Sequence, residues 1–151
     1  MAVATTHTQV SLEAYAARLL GPLAAVLGIT SNTDVVNEAL LEYGVTDATE
    51  ISGVAETKLI LACVAYRQWE YVTQITNGKF DLTDSGTDLS LSQINEQARA
   101  SAKYALELVS RYRDELAAAA AEADGVGAIR IYTVTRDDDE QDILDALEAA
   151  E

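Results

Sequence analysis

Apolar residues recur every three or four positions through most of the chain, the spacing of helices that each bury one stripe. Leu12, Tyr15, Leu19 and Leu20 make the first stripe, with Ser11 placed to cap it and Glu13 in the first turn, where the helix dipole favours an anion. Gly21-Pro22 interrupts the stripe. Proline lacks the backbone donor and disfavours helix at the residue before it, so a kink or two short helices are expected, the second carrying Leu23, Val26 and Leu27 to Gly28. A second helix is expected to start at a Thr33 cap, to bury Val35, Val36, Ala39, Leu40 and Tyr43, and to close at Gly44. Asp47-x-x-Glu50 then has the spacing of a capping box for a single turn.

The strongest periodicity predicts a third helix over residues 52–76. Leu59, Ala62, Cys63, Tyr66, Trp69, Val72, Thr73 and Ile75 recur at helical spacing, while Ile60, Leu61, Val64 and Tyr71 add apolar surface on other faces. A helix apolar on more than one side is central to its fold or also touches a neighbouring subunit. Ser90-x-x-Gln93 opens a fourth helix running to about Glu122, with Leu91, Ile94, Ala98, Ala102, Ala105, Leu108 or Val109, Tyr112 and Leu116 on one stripe. Between these helices, two short alternating runs in residues 80–90 flank Asp84-Ser85-Gly86 and predict a small β-hairpin. Its Asp81, Asp84 and Asp88 are expected to face outward. After Gly125 and Gly127 the alternation of Ile129, Ile131 and Val134 with Arg130 and Thr133 reads as an extended segment. Asp137-Asp138-Asp139-Glu140 and a weak helical stripe of Ile143, Leu144 and Leu147 follow.

The expected fold is therefore mainly α: a small helical bundle with two long helices, a β-hairpin between them and an extended C-terminal tail. Residues 11–122 would form the helical domain and residues 123–151 the tail. The expected core includes Leu59, Cys63, Tyr66, Trp69, Leu108 and Tyr112.

Composition narrows the functional classes. A chain of 151 residues suits one domain. Its 8 Gly and 1 Pro argue against a loop-rich fold, and alanine, the commonest residue, favours helix. No apolar stretch has the length of a membrane span, and the first ten residues lack the basic and apolar pattern of a secretory signal. Ten Lys and Arg stand against 25 Asp and Glu, a net charge of −15. That sign repels phosphate backbones. The excess is unevenly placed: residues 89–116 are balanced, whereas residues 117–151 hold two basic and ten acidic side chains.

Candidate chemistry is sparse. One Cys and one His exclude Cys-rich or His-based zinc sites and a Ser-His-Asp triad within one chain. Asp81-x-Thr83-x-Ser85-Gly86 begins like an EF-hand loop, but Ser92 stands where calcium needs a bidentate Glu, so a turn rich in turn-forming residues is the expectation. The acidic residues 137–140 read as a solvated segment rather than a cation site. Cys63 lies on an apolar stripe and is expected to be buried and unreactive; His7, in a Thr-rich leader, has no evident role. Tyr66, Trp69 and Tyr112 are spaced for core packing. Residues 33–62 resemble a helix-turn-helix only loosely, since Lys58 is their one basic residue. No phosphate-binding glycine loop and no nucleophile elbow is present, so no enzyme, no cofactor and no metal are expected.

The order of elements, and the residues DATEISGVAETKLILACVAYRQWEYVTQITNGKFDLTDSGTDLSLSQINEQARASAKYALELVSRYRDEL over 47–116, resemble the head–tail connector adaptor proteins of tailed phages and related viruses. The shared features are a long Ala- and aromatic-rich helix, a polar hairpin, a helix opened by Ser92-Gln93, and Arg111-Tyr112-Arg113 near its end. The resemblance implies a non-enzymatic virion protein, made in the host cytoplasm and placed at the head–tail interface. It implies a homo-oligomeric ring, usually dodecameric, below the portal protein and lining part of the DNA conduit, with no membrane contact. The tail, with Ile129, Arg130, Ile131, Tyr132, Val134 and Arg136, would dock on the portal. The hairpin would face the channel or a neighbour, and the lower face would meet the next connector protein, a stopper or tail terminator. The bottom-up alternatives are a free acidic helical interaction module, regulatory or antitoxin-like, and a small enzyme whose site is completed between subunits.

Overall fold

A computed structural model describes residues 7–77 and 91–124. The chain divides into two compact units, residues 1–113 and 114–151, and the packing below is that of the first. Five α-helices and one 3-10 turn make up the regular structure of the described residues: α1 (Gln9–Leu20), α2 (Leu23–Leu27), α3 (Thr33–Tyr43), the turn Ala48–Glu50, α4 (Val54–Thr76) and α5 (Leu91–Asp124). The mainly helical class holds. The expected β-hairpin is not seen: no strand occurs among the described residues, and residues 80–90, with Asp81, Asp84 and Asp88, lie outside them. The alternating runs offer few apolar positions to pack, and an isolated two-stranded hairpin is at best marginally stable in water, so alternation over so short a run is weak evidence of pairing.

The helix ends follow local chemistry, sometimes one turn from where the pattern put them. Thr8, not Ser11, caps α1. The Thr8 hydroxyl accepts from the Ser11 N–H at 3.2 Å, and the Ser11 hydroxyl accepts from the Thr8 N–H at 3.0 Å. Ser11 is thus the inner half of a capping box. Gly21-Pro22 gives two helices rather than a kink, with Gly21 at φ +51° ending α1. Asn32 precedes α3, so Thr33 is its first residue and not its cap. Gly44, at φ +104°, closes α3 by giving its N–H to the Leu40 carbonyl at 2.9 Å, a left-handed cap that glycine adopts without a Cβ penalty. Asp47 accepts from the Thr49 N–H at 2.9 Å and so starts the 3-10 turn.

α4 is the central helix. α3 packs along it and α1 packs against both. Glu42 meets Arg67 near one end of α3, and Asp34 and Glu38 lie with Glu70, Tyr71 and Gln74 near the other, so α3 and α4 run antiparallel. α1 runs parallel to α4: His7 bonds Thr57 at the start of both, and Leu20 packs with Val72 towards their ends. α5 is antiparallel to α4, held by Asn95, whose side-chain amide gives hydrogen bonds to the Thr73 carbonyl at 3.1 Å and the Thr76 hydroxyl at 2.8 Å. Apolar surface on several faces of α4 is what three surrounding helices require. The fully buried residues include Leu12, Ala16, Val36, Ala39, Ile60, Cys63, Val64, Val72 and Ala98.

Candidate functional site

Leu59 and Cys63 lie in the core, whereas Tyr66, Trp69, Leu108 and Tyr112 are half-buried. The reason is their angular position. Leu59 and Cys63 share the covered surface of α4, while Trp69 projects between α1 and α5, where no described helix closes over it. Trp69 packs one side against the cluster of Leu20, Val72, Ile94 and Ala98 and turns the other to an open groove.

That groove has a volume of about 480 Å³. α1 supplies Tyr15 and Leu19; α4 supplies Ala65 and Trp69; α5 supplies Ala100, Ser101, Tyr104, Ala105 and Leu108. None of these nine side chains is charged. Tyr104 stands at the edge, 63% exposed. Arg18 lies near enough to Tyr15 for its charge to act on the phenol, although burial is the stronger influence and raises the Tyr15 pKa. Three aromatic rings around small side chains form a surface suited to an apolar partner segment.

A second cavity, of about 220 Å³, lies between α3 and α4 and has the opposite character. Asp34, Glu38, Glu70, Arg67, Tyr71 and Gln74 line it. Arg67 Nε donates to Glu42 at 2.8 Å and its Nη1 donates to Glu70 at 2.8 Å. Burial works against the Arg67 charge, yet Glu42 and Glu70 outweigh it and the guanidinium pKa is raised. Arg113 adds a hydrogen bond of 2.8 Å to the Glu42 carbonyl. The arrangement ties α3 and α5 to the central helix and presents no nucleophile.

Cys63 is inert at neutral pH. Burial, and secondarily the Glu42 carboxylate, push its thiol up to about 11, so the thiolate that would react is not formed. Among the described residues no group of three or more His, Cys, Asp and Glu is placed to hold a metal ion. No helix among them is long and apolar enough to cross a membrane. Ile129, Arg130, Ile131, Tyr132, Val134 and Arg136 lie outside the described residues.

Sequence reasoning passed over three features. His7 is buried, and its Nε2 lies 3.1 Å from the Thr57 hydroxyl. That hydroxyl gives its proton to the Gly53 carbonyl at 2.6 Å, so Nε2 is the donor to it. Tyr104 is not part of the buried stripe, and nothing in the spacing of α5 announces a groove beside it. Gln68 is completely buried, with neither amide atom hydrogen-bonded. Its position among Val64 and Val72 at four-residue spacing would have revealed it as a polar residue on an apolar stripe.

Comparison with protein-family models, curated proteins and solved structures finds no match to this chain.

Proposed function

We propose that this chain is a head–tail connector adaptor: a structural virion protein that forms a ring below the portal and part of the conduit through which DNA passes. The reading rests on the sequence resemblance over residues 47–116. The observation that carries it furthest is the uncharged groove along α1, α4 and α5, an aromatic surface left open on an otherwise acidic chain. Aromatic and small apolar side chains left open in this way suit association with an apolar segment, and a ring subunit needs such a surface for its neighbour. The charge is consistent with the same role. A conduit of net negative subunits lets DNA slide, because it offers the phosphates few cations to hold them. On this reading the portal sits above the ring, the next connector protein below it, and no chemistry is catalysed.

Sedimentation of the purified chain, alone and with the portal protein of the same virus, tests this. A large species containing both proteins is expected. A monomer or dimer indifferent to the portal would instead fit the free acidic interaction module.

A further inference from the structure

Two cavities lined by described residues differ in charge. The one between α3 and α4 shows the carboxylates of Asp34, Glu38 and Glu70, and its Arg67 is already paired with Glu42 and Glu70. An acidic segment is repelled there. The groove shows no charge on its lining and has Arg18 beside Tyr15. α1 and α5 flank α4 at this point and leave Ala65 and Trp69 half-exposed in the groove, open to a further apolar segment. Amphipathic helices dock in such grooves through apolar side chains at three- and four-residue spacing.

The chain itself carries a segment of that kind. After α5 ends at Asp124, residues 125–151 remain. Residues 137–151 hold eight carboxylates and no basic side chain, with Ile143, Leu144 and Leu147 at helical spacing. We propose that the groove of one subunit receives the C-terminal segment around Leu144 of a second copy. This rests on the self-association in the connector reading and names the surfaces that meet. The contact is heterologous, a segment on one copy entering a groove on the next, and repetition of such a contact closes into a ring when the rotation allows. Apolar side chains would cover Trp69 and Tyr104 while the carboxylates face solvent and Arg18. Charge favours the groove over the cavity between α3 and α4 for an acidic segment, because its lining carries no carboxylate while the other shows Asp34, Glu38 and Glu70.

The test uses the full chain without a portal, so its outcome is separate from that of the connector reading. A benzoylphenylalanine in place of Leu144 is introduced into unlabelled protein, which is mixed with nitrogen-15 protein and irradiated. Cross-linked peptides joining position 144 to the segment around Trp69 or Tyr104, in pairs of mixed isotope composition, are expected. Tyr104→Glu, at an exposed position, should keep the helical circular dichroism and reduce these cross-links at least tenfold. Cross-links confined to one isotope would mean that the segment folds onto its own chain, and cross-links elsewhere, or none, would mean that the groove has another occupant; each overturns the proposal. Retained cross-linking in Tyr104→Glu overturns it as well.

Discussion

Gln68 lies fully buried on the central helix with both amide atoms unpartnered. A buried polar group without hydrogen bonds costs stability, and replacing it by an apolar side chain of similar size removes the cost. Gln68→Leu is expected to raise stability by ~1 kcal/mol, read as a higher urea midpoint at unchanged slope. A lower midpoint would show that the amide is satisfied in the folded protein. Cys63 gives a prediction in pH. Its thiol pKa is raised to about 11 from an ordinary 9.0, chiefly by burial. The folded state holds its proton more tightly than the unfolded state, so this contribution is intact below pH 9 and is lost as pH rises towards 11. Cys63→Ala should therefore lose less stability than the parent between pH 9 and 11. Equal alkaline slopes for both proteins, measured by urea titration, would contradict the burial argument. Trp69, the only tryptophan, reports on the groove. It is half-buried in the subunit, so its emission should shift to the blue when the groove is covered on self-association. An emission maximum that does not change with concentration through assembly would place the association surface elsewhere.

At the scale of elements, α4 and α5 are held together by a side chain as well as by packing. The last carbonyls of a helix lack partners within it, and Asn95 gives hydrogen bonds to the Thr73 carbonyl and the Thr76 hydroxyl. Arg99 reaches Asn77 close by at 3.4 Å. Asn95→Ala is expected to destabilise the unit by about 1–3 kcal/mol, since it removes two hydrogen bonds to part-buried groups. Thermal unfolding followed by circular dichroism checks this, and an unchanged midpoint would remove the pairing role. Much of this layer was legible in the sequence. The helices around Val36, Val64 and Ile94 declare themselves through three- and four-residue spacing, and Gly44 through its place after Tyr43. What periodicity could not give was the environment of each face. It set Trp69 and Cys63 on related stripes but could not say that one side of α4 stays uncovered. It also placed Ser11 as a cap because serine favours that position, although Thr8 offers an equivalent hydroxyl one turn earlier and both take part. Alternation over residues 80–90 predicts a hairpin, but two-residue periodicity in so short a run carries little information about pairing partners. Asn95 could not be foreseen, because its partners lie 19 and 22 residues away on another helix.

At the scale of the whole molecule, the account joins an acidic chain, a three-helix wrapping of one central helix and an open aromatic groove. On the connector reading, the net charge of −15 gives DNA little to hold, and the uncharged groove is the surface proposed to join like-charged copies. The groove and the core beneath it both lie in the unit formed by residues 1–113. Electron microscopy of the chain mixed with a cognate portal protein tests the proposed connector role most directly. A closed ring of this chain, coaxial with the portal and with an open central channel, is expected. Portals seen bare at saturating concentrations of the chain, with the chain present only as small unassociated particles, would contradict it.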